Sequence, residues 1–186
     1  LPTDITVTED VSSNVNLSAI NLSDVDHGGG NLTVTLTTST GGYLSASSGG
    51  GVTIGGSGTG ILTLTGTVAN LNTYFDTASN VQYLHSTAHL FGNDVDTIAV
   101  TVNDNGNTGT GGGGNANLGT VNVDITAVND APLVGTNTGA TVAEGGTVTI
   151  TTAMLNEADV DDLGAALTYS VTSGPTNGRL ELTTNA

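Results

Sequence analysis

Leu32-Thr33-Val34-Thr35-Leu36 places an apolar side chain at every second position with threonine between. A period of two with β-branched partners is the pattern of a strand buried on one face. The same alternation returns at Leu62 and Leu64, at Ile98, Val100 and Val102, at Val121, Val123 and Ile125, at Val148 and Ile150, and at Leu167, Tyr169 and Val171. Turn-forming residues separate the runs: Gly41 and Gly42, Gly49 to Gly51, Gly55 and Gly56, Asn105 and Gly106, and Gly111 to Gly114. Only Thr67 to Phe75 reads as helix. There Val68, Leu71 and Phe75 recur at spacings of three and four behind Thr67, a residue suited to the N-cap. Many short strands and almost no helix predict an all-β fold, an antiparallel sandwich of the immunoglobulin-like kind.

An internal repeat sets the organisation. Glu9 falls on Glu144 at an offset of 135, and Asp24-Val25-Asp26 falls on Asp159-Val160-Asp161 at the same offset. Leu32 to Leu36 likewise falls on Leu167 to Val171, and after one inserted residue Gly42 and Leu44 match Gly178 and Leu180. The expectation is one complete repeat over 1–130 and the first part of a second over 131–186. The sequence starts at Leu1, without Met, and is read as a piece of something longer.

Seventeen Asp and Glu stand against one basic side chain, Arg179, for a net charge of −16 in 186 residues. Nucleic acid and anionic membrane both require a basic patch, so neither is a partner. The acids gather in small groups near segment ends, where their repulsion is relieved by a cation. There is no Cys, hence no disulfide framework and no thiolate zinc site. No apolar run approaches the roughly 18 residues of a membrane span.

The Asp, Asn and Gly clusters carry the candidate chemistry. Calcium takes carboxylate, amide and backbone carbonyl oxygens alike. An Asp-x-Asp pair in a turn aims two carboxylates at one point, and glycines after it let carbonyls turn inward. Asp24, Asp26 and His27 before Gly28 fit this, as do Asp159, Asp161 and Asp162 before Gly164. His27 itself is a bystander or lends its carbonyl.

Other chemistries fare worse. His85 and His89 have a His-x-x-x-His spacing, but their segment reads as strand and turn and no Glu follows His85, so they are read as loop histidines. The glycine-rich stretches have no lysine anywhere to complete a phosphate loop. No Gly-x-Ser-x-Gly elbow is present, and a chain without Trp lacks the aromatic platforms of a sugar cleft. The chain is therefore not read as an enzyme. The sequons at Asn16, Asn21 and Asn31 are what so much Asn, Ser and Thr produces by chance.

The junction Ala127-Val128-Asn129-Asp130-Ala131-Pro132, the run from Val102 to Gly109, and Leu167-Thr168-Tyr169-Ser170-Val171 resemble the cadherin-like and proteoglycan-type repeats of giant bacterial surface adhesins. The resemblance implies Greek-key sandwiches with calcium ions between successive repeats, on an extracellular or cell-surface protein. It implies as ligands Glu9 on the first strand, the pair Asp24 and Asp26, the pair Asp94 and Asp96 before a late strand, Asp104 ending it, and Asn129 and Asp130 in the linker. Glu9, Asp94, Asp96, Asn129, Asp130, Asp159 and Asp161 are then expected at the junction, and Asp24, Asp26 and Asp104 at the opposite end. Ala127 stands where the family usually has Asp, and Ala131 where it often has Asn, which implies fewer ions per junction than the full motif. The expected partners are adjacent repeats of the same polypeptide or neighbouring copies of it, with any cell-surface ligand unspecified. The other expectation is a self-assembling filament, sheath or surface-layer subunit whose partial repeat is completed by strands of a neighbouring chain.

Overall fold

The computed structural model describes residues 1–107, 113–162 and 166–182. It divides into two compact units, Leu1–Val128 and Asn129–Ala186.

The first unit is a sandwich-like pair of curled sheets. Its larger sheet has the order β1 (Asp4–Thr8), β9 (Asn115–Thr126), β8 (Gly92–Asn103), β3 (Asn31–Thr38), β6 (Ile61–Thr67), β5 (Thr53–Gly55). The smaller has β2 (Ser13–Asn14), β7 (Val81–His85) and β4 (Gly42–Ala46). The alternation read from the sequence sorts the side chains as expected. Leu32, Val34, Leu36, Leu62, Leu64, Ile98, Val100, Val121, Val123 and Ile125 are all buried, and each adds about 1.5–3 kcal/mol of burial to the core. The intervening threonines face outward, and Thr33 meets Thr65 across β3 and β6 with their hydroxyls 2.9 Å apart.

The sheets are antiparallel except at one edge, where β1 runs parallel to β9 with Ile5 opposite Val123. A tight hairpin would force antiparallel pairing, but almost the whole unit lies between these two strands, so that constraint is absent.

Helix α1 (Val68–Phe75) follows β6 directly. Thr67 caps it, accepting from Asn70 N, and Leu71, Tyr74 and Phe75 are its buried face. Asn72, on the same helix, holds the incoming 20–22 segment by both ends of its amide: Oδ1 accepts from Leu22 N at 2.8 Å and Nδ2 donates to Leu22 O at 2.9 Å.

In the second unit the strands are β10 (Leu133–Asn137) and β11 (Leu155–Ala158), antiparallel with a bulge between Val134 and Thr136. The alternating segments at Val148–Ile150 and Leu167–Val171 are not strands. Their pattern is sound, but a strand exists only against neighbours. In the first unit β3, the counterpart of Leu167–Val171, is held on one side by β6 and on the other by β8. Neither has a counterpart among the described residues after 130, and Tyr169 and Val171 stay exposed.

Candidate metal centres

Each unit carries its own acidic groups. Asp24 and Asp26 lie in the loop leading to β3. Asp24 Oδ1 accepts from Asp26 N at 3.2 Å, so the pair forms a turn closed by the aspartate side chain. His27 Nδ1 accepts from Gly29 N, and Gly28 and Gly29 have φ of 57° and 82°, conformations a side chain would resist. The loop packs so closely on the one after β8 that a Cβ on Gly30 would overlap the Asn107 amide. Asp104, Asn105 and Asn107 belong to that second loop, and Asn105 Nδ2 and Asn107 Nδ2 both donate to Asn31 O at 2.9 Å. Asp26 feels the result. Its carboxyl is held above its usual range by a hydrogen bond with Asp24, then by desolvation and the charge of Asp24, with a further contribution from Asp104. The structure therefore gathers Asp24, Asp26 and Asp104 at one end of the unit. Thr108 and Gly109, the end of the Asn-Asp-rich run, lie outside the described residues, as do Gly111 and Gly112.

Asp94 and Asp96 part company. Two residues apart on a regular strand would share a face, but β8 shifts register between Gly92 and Asp96, and Asp94 adopts φ of 53°. Asp94 is exposed; its N donates to Asp124 Oδ1 at 2.8 Å, and its Oδ2 accepts from Asn93 Nδ2. Asp96 is 2% exposed. Its Oδ1 accepts from Ser39 N, Ser39 Oγ, Thr40 N and Thr97 N, and its Oδ2 from Gly42 N and Tyr83 Oη. A carboxylate has about four lone-pair positions, so these donors saturate it and leave no oxygen for a metal. Burial pulls its pKa upward, but the hydrogen bonds from Ser39, Tyr83 and Thr97 outweigh burial and hold it at about 2. Nothing in the sequence marks Ser39, Thr40 and Tyr83 as partners of Asp96, because the contact joins three segments distant along the chain.

Glu9 extends the β1 ladder, its N donating to Thr126 O. It is 4% exposed; Oε1 accepts from Val128 N at 2.6 Å, while among the described residues no donor reaches the buried Oε2. Beside it Asp10 pairs with His89, Oδ2 to Nδ1 at 3.0 Å and Oδ1 from the His89 N. His85 is engaged separately, its Nε2 3.0 Å from Thr40 O and its Nδ1 accepting from Thr87 N. The two histidines thus serve different turns.

In the second unit Asp159 Oδ1 accepts from Asp161 N at 3.0 Å and Asp162 N at 2.9 Å, and Asp161 Oδ2 accepts from Asp130 N at 2.8 Å. The aspartate-closed turn of Asp24 and Asp26 thus recurs 135 positions on. Asn129 Nδ2 donates to Asp130 O at 3.0 Å. Asp159 Oδ2 and Asp161 Oδ1 are buried with no hydrogen-bond donor among the described residues. Gly164, the glycine expected after these acids, lies outside the described residues. Carboxylate oxygens buried without a partner are costly. An oxygen-seeking dication answers that cost, and a set made of carboxylates and carbonyls, with no thiolate, suits calcium in particular.

Residues 132–186, less than a third of the chain, match a family model described as cadherin-like. No curated protein and no solved structure matches the chain.

Proposed function

We propose that this chain is a calcium-binding extracellular repeat, structural or adhesive, of a large cell-surface protein, with tandem repeats over 1–130 and 131–186. The observation that carries the reading is the pair of buried, donorless oxygens on Asp159 and Asp161. The cadherin-like match over the same segment supports it. In the second unit Asn129, Asp130, Asp159 and Asp161 hold calcium; in the first unit, Asp24, Asp26 and Asp104 do so, with Glu9 and Asp94 contributing elsewhere. Asp96 positions the fold and is not a ligand. Calcium neutralises repulsion among acids and fixes the loops that bear them, and the repeats stiffen as a consequence. The chain then acts as a spacer whose partners are its neighbouring repeats, and no catalytic step is assigned to it.

A second reading has its own observation. Leu133, Val134, Tyr169 and Val171 are exposed around a two-stranded sheet, and two strands alone are marginal in water. Strands donated by a neighbouring copy would cover them, making the chain a filament, sheath or surface-layer subunit.

Small-angle scattering with light scattering on eluted fractions, in EDTA and in millimolar calcium, separates the two. A monomer that lengthens and stiffens in calcium supports the first, and ordered polymers support the second. Binding to the folded state must also raise the melting temperature, and Asp161→Asn shrinks that rise to the share of the Asp24, Asp26 and Asp104 group. If calcium at about 10 mM, above the roughly 10⁻⁴ to 10⁻³ M dissociation constants of extracellular modules, changes neither shape nor melting temperature, the metal assignment is wrong.

A further inference from the structure

Asn-Gly occurs twice, at Asn105-Gly106 and Asn177-Gly178. In this dipeptide the glycine nitrogen, unhindered by a Cβ, attacks the asparagine Cγ. The N–Cγ bond closes a five-membered imide, the Cγ–Nδ2 bond breaks, and ammonia leaves with the proton of the attacking nitrogen. Water then opens the ring at either carbonyl and leaves aspartate or isoaspartate. Ring closure needs the glycine nitrogen free and swung to the Cβ side of the asparagine.

The fold denies both conditions to Asn105. Its φ of 61° is left-handed, a region where ψ near about +47° sets the following nitrogen opposite Cβ. The leaving amide donates to Asn31 O at 2.9 Å and Thr33 Oγ1 at 3.2 Å, and the attacking Gly106 N is held by Asp104 Oδ1 at 3.1 Å.

Asn177 has none of these restraints. It is exposed, and among the described residues no hydrogen bond engages its amide or Gly178 N. In the first repeat the position aligned with Gly178 is Gly42, whose N donates to Asp96 Oδ2 at 3.1 Å. The second unit supplies no such carboxylate among its described residues. We propose that Asn177-Gly178 is a site of spontaneous deamidation and isoaspartate formation, while the fold preserves Asn105-Gly106. The product places a carboxylate two residues before Arg179, the chain's one basic side chain.

The test incubates the folded chain at mildly alkaline pH and follows both dipeptides by peptide mass mapping, with enzymatic isoaspartyl methylation reporting the isomer. Conversion at Asn177 is expected to run at least about tenfold faster than at Asn105, where three hydrogen bonds must open first. In urea the two rates converge, and Asn177→Gln silences the faster one. Equal rates in the folded chain, faster conversion at Asn105, or a difference that persists undiminished in urea would each overturn the assignment. None of these outcomes depends on calcium binding.

Discussion

Tyr83 and Asp96 form a buried hydrogen-bonded pair, Oη to Oδ2 at 2.8 Å, that joins β7 of the smaller sheet to β8 of the larger. The remaining lone pairs of Asp96 tie down the turn between β3 and β4 through Ser39, Thr40 and Gly42. One carboxylate therefore ties the two sheets and a hairpin together. Removing it strands several buried donors at once. Asp96→Ala is expected to cost about 3 kcal/mol or more, and Tyr83→Phe, which loses one bond to a charged acceptor, about 1.5–3 kcal/mol, both read from urea denaturation midpoints. The melting-temperature gain from calcium should survive Asp96→Asn; if it disappears, Asp96 is a ligand after all.

Acid titration tests the same group. The folded pKa of about 2 lies below the ordinary 3.8, so between these values the unfolded chain binds more protons. The stabilisation is complete above pH 3.8 and is lost as pH falls through about 2; it amounts to about 2 kcal/mol. Stability measured down that range should fall less steeply in Asp96→Asn than in the parent chain. Parallel curves would mean that the carboxylate is not held in its charged form.

How much of this was legible beforehand follows from the range of the interactions. Strands β3, β6, β8 and β9 and helix α1 are written in local periodicity, and the structure agrees with both, whereas β1, β2, β4 and β5 lie outside the alternating runs read from the sequence. The turns at Asp24-Asp26 and Asp159-Asp161 are legible too, because a side chain closing on a backbone NH two residues ahead is a local event. The separation of Asp94 from Asp96 depends on a bulge and on a left-handed non-glycine residue, neither of which the spacing reveals. Leu167–Val171 shows the converse limit, since its pattern is that of β3 and only its neighbours differ.

Asp26 titrates with the opposite sign. Its pKa is raised, first by the hydrogen bond with Asp24, so the folded chain is the tighter proton binder, and stability declines as pH rises through the window above 3.8. Asp26→Asn should therefore raise the melting temperature in EDTA at neutral pH. The same change should shrink the gain from millimolar calcium, because the ion and the proton compete for one pair. An unchanged melting temperature in EDTA would show that Asp24 and Asp26 do not repel.

Gly42 fixes how closely the hairpin approaches this network. Its φ is not in the left-handed region, so a side chain there is opposed by space and not by the backbone. A Cβ would overlap the Tyr83 ring and press on Asp96 Oδ2. Gly42→Ala is expected to destabilise by about 1–3 kcal/mol through overpacking. The two positions share a contact, so their costs should not add. Tyr83→Ala clears the ring from the site, and Gly42→Ala made in that background should cost clearly less than in the parent. A double-mutant cycle by urea denaturation measures the coupling. Additive costs would mean that the alanine is accommodated elsewhere and that the Tyr83 ring does not limit the approach of the hairpin.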